Sequence, residues 1–276
     1  MTKISINKTF YHYCSLEAFI SIIQKEEIWL SYLKLSSDAM EGMVFKNTIL
    51  TLAERDKISP IIIDLLKNVI IAIENELDGF IFSLSNQGDL LNQWREYASD
   101  GSGFSIGFSE DFLFDAKPII SEQFNYHPTI FSPILYNREE QEKAVDDIYD
   151  RIKTRITEFH KHKNPKKLIS KLFFELDITF QDIFRLKTNN YINEKEYRII
   201  LTETSTTKNT ETFYRNHKCT ILPYKKIPIL NKNKAIIEVI LGYNNNTPLK
   251  IISDLLTKHG FLNTTISKSS IPHRQQ

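Results

Sequence analysis

The chain has 276 residues, with 35 Lys+Arg against 34 Asp+Glu, a net charge of +1, and 41% hydrophobic residues. This is a globular composition, and it excludes long disorder. Gly 8 and Pro 9 are each about 3% of the chain, under the usual ~7% and ~5%, which excludes collagen-like, linker-rich and low-complexity architectures. Neutral charge argues against a sequence-independent nucleic-acid coat. The charge is uneven, however: residues 208–276 hold 11 Lys+Arg against 3 Asp+Glu, and the remainder is net acidic. Only Cys14 and Cys219 are present, in no CxxC or Cys/His pattern, so neither a disulfide framework nor a structural zinc site is expected. The opening MTKISINKTFYHY lacks an apolar signal region, and the most apolar helix, Pro60–Leu77, is interrupted by Asp64, Lys67 and Asn68. The expected location is a reducing cytoplasm, with no membrane partner.

In chain order, KTFYHYC (8–14) alternates and predicts a strand. Ser15 is placed as an N-cap, and Leu16, Phe19, Ile20 and Ile23 give the helix after it one apolar face. A strand is expected at 28–33, then helices at 38–55 and 60–77, with Pro60 in a first turn. GFIFSLS (79–85) is a strand, LLNQWREYA (90–98) a short helix, SDGSG (99–103) a turn and FSIGF (104–108) a strand. Residues 109–137 are mixed. A charged helix is expected at 138–162 and another at 166–186, striped by Leu168, Leu172, Phe173, Leu176 and Phe180. Strands follow at 193–203, 219–223 and 235–243, a helix at 248–259 and a last strand at 262–269.

Strands and helices alternate irregularly, which predicts an α+β fold rather than regular βαβ units. We expect a mixed, mostly antiparallel sheet with flanking helices. The preferred organisation is one domain, 1–276, with a helical insertion at about 138–186.

Four stretches carry a family resemblance: FYHYCSLEAFISIIQKEEIWLS (10–31), FSLSNQGDLLNQWREYASDGSGFSIGF (82–108), NEKEYRIIL (193–201), and IIEVILGYNNNTP through SSIPHR (236–274). Together they resemble the bacterial domain of unknown function twenty-nine seventy-one family. SSDAMEG (36–42) keeps Asp38 and Glu41 but lacks the proline of that family's usual segment. The resemblance implies an accessory or effector protein, in an anti-phage or toxin–antitoxin setting. The layout is also similar to ADP-ribosyltransferases, with a first strand carrying His, a middle Ser-bearing strand and a late strand carrying Glu. That likeness implies an ADP-ribosyltransferase-like fold and NAD as substrate.

Several constellations have a chemical reading beside a plain one. Glu194 and Glu196, two apart on an expected strand, share a face. In a cleft, Glu196 would stabilise a ribosyl cation and Glu194 would orient or deprotonate the acceptor; on a solvated edge they would form surface ion pairs worth little. His12 points opposite to Tyr11 and Tyr13. These three would hold the nicotinamide end, or else be core groups. Ser83 and Ser85 share a face and could order Glu196, or be ordinary serines. Trp94 and Tyr97 would wall a nucleotide pocket, Arg95 would meet a phosphate and Arg198 would shape the cleft; alternatively the two aromatics simply bury their helix. Gly101, Gly103 and Gly107 lead into a strand, the reverse of a phosphate loop, and are read as a turn with close packing. His160 and His162 sit in a Lys-rich helix end and are not expected to bind metal.

The leading expectation is an NAD-cleaving ADP-ribosyltransferase-like effector. Its alternative is a non-catalytic sensor or a nucleic-acid- or partner-binding module, using the basic residues Lys218, Lys225, Lys226, Lys232, Lys234, Lys250, Lys258, Lys268 and Arg274. A cognate defence-system or antitoxin partner fits either.

Overall fold

The computed structural model describes residues 8–35, 43–118, 129–162, 183–204, 210–217 and 219–272. The start of the helix expected at 38, Asp38 and Glu41, the 168–180 stripe, Lys218 and Arg274 lie outside these residues, as do the side chains of His160 and His162.

The fold is mixed α and β, built on a mostly antiparallel open sheet. Its strands are β1 (Thr9–Cys14), β2 (Glu27–Tyr32), β3 (Leu77–Ser85), β4 (Phe104–Ser109), β5 (Ile130–Pro133), β6 (Glu196–Thr204), β7 (Phe213–His217), β8 (Thr220–Pro228), β9 (Ile236–Leu241) and β10 (Thr265–Lys268). The helices are α1 (Leu16–Lys25), α2 (Met43–Arg55), α3 (Pro60–Glu76), α4 (Leu91–Tyr97), α5 (Glu110–Asp115), α6 (Arg138–His162), α7 (Lys232–Ala235) and α8 (Leu249–Lys258). The main strand order is β10-β9-β4-β1-β3-β2-β8-β7, while β6 pairs with β3 and carries β5 on its far side. Among these pairs only β9–β10 is parallel.

Local chemistry accounts for much of this. Ser15 caps α1 by accepting from the Ala18 amide at 3.3 Å, and Ser109 caps α5 in the same way through Phe112. Gly101 has a φ of +76°, and a Cβ there would lie 2.5 Å from the Tyr243 ring. The glycine-bearing segment is therefore a tight turn with close packing, as read from the sequence.

Three differences from the sequence reading matter. The 109–137 stretch contains α5 and β5, and β7 precedes β8; all three are too short for periodicity to reveal. The strand expected from residue 193 begins at Glu196, because Asn189–Glu194 is a 3-10 helix closed by Lys195 in the left-handed region, φ 49°. Glu194 and Glu196 are consequently not neighbours along one strand face. The helix expected through 186 does not reach it: residues 183–185 form a 3-10 turn, and Leu186 makes a parallel bridge to Leu135. Phe184 sits directly on Gly79, where a Cβ would be 2.6 Å from its ring, so this turn is pressed against the sheet.

Alternation along the strands sets two different faces. One buries Phe80, Phe82 and Leu84 of β3 with Ile199 and Leu201 of β6, against α1 and α8. The other carries Leu77 and Ile81 of β3 and Ile200 of β6 under α2, α3 and α6. Farther along this second face the same alternation presents Ser83 and Ser85, paired across the ladder with Arg198 and Glu196. A third cluster, Tyr13, Trp94, Ala98 and Ile240, bounds the polar patch on the opposite side.

Candidate functional site

The edge of β3 that faces away from β6 is divided between two strands. Its beginning pairs with β2 (Ser31↔Ile81, Tyr32↔Phe80) and its end with β1 (Tyr11↔Ser85), so among the described residues Phe82–Leu84 have no strand partner on that edge. His12 fills part of the gap. Its Nδ1 is 2.9 Å from the Ser83 carbonyl oxygen, and its ring stacks on Phe82 with centroids 4.1 Å apart. Because a carbonyl only accepts, Nδ1 carries the hydrogen and Nε2 is left as an acceptor. Burial, chiefly, lowers the His12 pKa to about 4, so the ring is neutral at pH 7.

Beside this split lies a cavity of about 240 Å³, lined by His12, Ser83, Tyr97, Lys187, Tyr191, Glu194, Glu196 and Arg198 among others. Glu196 is buried at 6% exposure. Arg198 grips it with two bonds, Nε to Oε1 at 2.6 Å and Nη2 to Oε2 at 3.1 Å. Lys187 donates to Glu196 Oε2 at 3.1 Å and to Glu194 Oε2 at 2.6 Å. Burial raises the pKa of the Glu196 carboxyl, but Arg198, Lys187 and the Ser83 hydroxyl overcome it and hold the value at about 2. Glu194 behaves differently: burial outweighs Lys187, and its pKa is raised. The Tyr97 hydroxyl donates to Glu194 Oε1 at 3.0 Å, and Tyr191 lies under the Lys187 ammonium at 4.5 Å. Two of the carboxylates lining the cavity are thus shifted in opposite directions, Glu196 toward the ionised form and Glu194 toward the protonated one, a separation of roles that acid–base chemistry uses.

The frame around these groups is specific. Arg198 also donates through Nη1 to the Phe184 carbonyl at 3.1 Å, which links it to the turn seated on Gly79. Gln141, in the first turn of α6, donates to the carbonyls of Leu135 and Lys187 at 2.8 and 2.9 Å. The Tyr136 hydroxyl accepts from the Glu196 amide at 3.2 Å. Ser85 donates to the Glu194 carbonyl at 2.9 Å and so secures the 3-10 helix to β3.

Of the residues singled out from sequence, His12, Tyr11, Tyr13, Ser83, Tyr97, Glu194, Glu196 and Arg198 line this one cavity, and Ser85 supports it. Tyr11 and Tyr13 are nevertheless engaged elsewhere. Tyr11 donates to Glu238 at 3.1 Å, whereas Tyr13 donates to the Gln87 carbonyl at 2.8 Å and accepts from the Leu90 amide at 2.8 Å. Both hydroxyls are pinning groups. Trp94 does not wall the cavity: it is fully buried, edge-on to Tyr13 at 5.0 Å, with its indole donating to Asp89 at 2.7 Å. Arg95 is exposed on the other side of α4, next to Tyr243, and does not reach the cavity. Reading the sequence missed Lys187, Tyr191, Tyr136 and Gln141, all in aperiodic stretches or on a helix read as a charged surface.

The basic C-terminal stretch is not a single patch. Lys225 is buried against Glu203 at 2.7 Å, while Lys226 pairs with Glu27 at 3.3 Å, Lys232 with Glu26 at 2.6 Å and Lys250 with Asp254 at 3.0 Å. These four lysines are therefore each neutralised by a carboxylate, two of them by Glu26 and Glu27 from the start of the chain. Among the described residues no helix is long and apolar enough to cross a membrane.

No curated protein and no solved structure matches the chain. The model of the family described as protein of unknown function, DUF2971, matches residues 93–199. That stretch runs from the first turn of α4 into β6 and contains Tyr97, Lys187, Tyr191, Glu194, Glu196 and Arg198. The family resemblance read from the sequence is thus borne out over residues 93–199, the segment that supplies the charged wall of the cavity.

Proposed function

We propose that the protein is an enzyme that cleaves the glycosidic bond between ribose and nicotinamide in NAD and passes the ADP-ribosyl group to water or another nucleophile. The observation carrying this reading is the convergence of Glu194, Glu196 and His12 on one cavity with two aromatic rings, Tyr97 and Tyr191. As the C–N bond breaks, its electron pair leaves with nicotinamide and positive charge develops on the ribose. The Glu196 carboxylate is already compensated by Arg198 and Lys187. Glu194 has one cation partner and a raised pKa. In this reading Glu194 accepts the proton of the incoming nucleophile, while Glu196 holds Lys187 and Arg198 in place. His12 Nε2 accepts a hydrogen bond from the carboxamide or a ribose hydroxyl, and Tyr97 or Tyr191 stacks on the ring. In the anti-phage or toxin–antitoxin setting that the family resemblance implies, such a reaction depletes NAD.

The test is nicotinamide release from NAD by the purified protein. Glu194→Gln should lower the rate by about 10²-fold or more, the usual range for a general base. Glu196→Gln turning over at the wild-type rate would remove its assignment. A second reading, a sensor that binds a nucleotide without cleaving it, is favoured by the double compensation of Glu196. NAD binding by calorimetry with no nicotinamide released would select it.

A further inference from the structure

A second cavity, of about 530 Å³, opens on the other side of His12, between β2, β7 and the start of α1. It shares His12, Ile81, Ser83 and Tyr97 with the first, so the two are joined across the split in the sheet. Its distinctive group is Arg215, on β7. The guanidinium lies over the Trp29 ring at 5.5 Å and donates through Nη2 to the Ser31 hydroxyl at 2.8 Å. Its Nε is buried without a hydrogen-bond partner. No carboxylate among the described residues pairs with it, and burial pushes its pKa below the ordinary arginine value. Glu17 lies on the same cavity, yet its own lowered pKa comes from its own backbone amide and then Ser15, rather than from Arg215.

A half-buried cation whose hydrogen-bond partner among the described residues is a neutral hydroxyl costs stability. Arg198 and Lys225 show what this chain does when it buries a cation for structure, since each has a glutamate in contact. Arg215 instead faces an open cavity with hydroxyls of Ser15, Ser21 and Ser31 around it. We propose that this cavity is a phosphoryl-binding site, in which the Arg215 fork grips the anion and the serine hydroxyls donate to its remaining oxygens. The ligand is a phosphorylated molecule whose uncharged part extends past His12 into the first cavity. Binding does not depend on the cleavage reaction proposed above, and the test reads equilibrium binding alone.

The probes are pyrophosphate, inorganic phosphate and acetate at matched ionic strength, followed by calorimetry and by tryptophan fluorescence, since Trp29 lines the cavity. Pyrophosphate and phosphate should bind wild-type protein and acetate should not. Arg215→Gln should weaken binding by about 10-fold to 100-fold, the loss expected for hydrogen bonds to a charged group, while Glu194→Gln should leave it unchanged. Arg215→Met should keep or raise the melting temperature, because an unpaired cation is removed. Should Arg215→Gln fail to fold, Ser31→Ala must still weaken phosphate binding. Equal binding by wild type and Arg215→Gln, no binding by wild type, or a melting temperature lowered by Arg215→Met would each overturn the proposal.

Discussion

β6 carries two buried ion-pair centres on opposite faces, and they use the same chemistry to different ends. Near the end of the strand, Glu203 meets Lys225 at 2.7 Å, with side-chain exposures of 0% and 1%. The Lys225 ammonium is completed by the Thr210 carbonyl and the Thr212 hydroxyl at 2.9 Å each, and Thr210 also bonds Glu203 through its hydroxyl. This centre is closed, and it fastens β8 and the chain entering β7 to the sheet. At the start of the strand, Glu196 has two cations and shares one of them with Glu194, which remains partly open to a cavity. An ion pair sealed on all sides serves structure. The other leaves the Glu194 carboxylate facing a cavity with its pKa raised, the kind of perturbed group that clusters at functional sites. Surroundings decide between the two: the Lys225 ammonium beside Glu203 is enclosed by the Thr210 carbonyl and the Thr212 hydroxyl, whereas Glu196 lines the cavity beside the place where β1 and β2 part.

The sharpest way to break this contrast is at the closed centre. Lys225→Ala strands a carboxylate in the core and should cost about 3–5 kcal/mol in chemical denaturation, leaving cavity chemistry unchanged in whatever protein remains folded. The paired change Glu203→Leu with Lys225→Met should be close to neutral, as apolar replacements of buried pairs often are. Acid is the next lever. The Glu196 pKa is held at about 2, below its unfolded value, so its contribution is present above pH ~4.5 and is lost as pH falls toward 2. His12 acts in the same direction over a higher window. Its folded pKa of about 4 lies below the unfolded value near 6.5, so the unfolded chain takes up the proton first and stability falls between those limits. The His12 share alone is about 3 kcal/mol, and His12→Phe should flatten stability over that window. Gly79→Ala drives a Cβ into the Phe184 ring and should cost about 1–3 kcal/mol by overpacking, while loosening the Arg198 contact with the Phe184 carbonyl. Smallest in stability is Glu194→Gln, which should change the denaturation midpoint by no more than about 1 kcal/mol, the range of a single hydrogen bond, yet abolish most of the proposed turnover.

How much of this was legible in the sequence depends on which residues carry a period. His12, Ser83, Ser85, Glu196 and Arg198 sit on strands whose alternation is plain, so their shared faces follow from spacing two. Glu194 was placed near Glu196 for the wrong geometric reason, since a left-handed Lys195 rather than a strand face brings the two carboxylates together. Trp94 illustrates the reverse: its helix spacing with Tyr97 was correct, but spacing alone could not say which of the two faces the core. Lys187 and Tyr191 lie in LKTNNY, which has no periodicity, and Arg215 lies on a strand of five residues. Their positions are fixed by contacts distant in sequence, such as Phe184 on Gly79 and Gln141 on the Lys187 carbonyl. The uneven charge was legible as a sum, whereas its pairing was not, because Glu26, Glu27 and Glu203 meet their lysines only after the sheet forms.

The division of β3 between β1 and β2 has a mechanical consequence. A ten-stranded sheet with continuous ladders resists shear as one plate. Here β1 and β2 join the same edge of β3 at different heights, and among the described residues the His12 ring bridges the interval beside Phe82–Leu84. That line is a seam along which the two flanks can yield relative to each other at low cost, because no backbone ladder has to break. Amide hydrogens of β3 that face the seam should exchange with solvent faster than those facing β6, and a ligand spanning both cavities should slow them by stitching the flanks together.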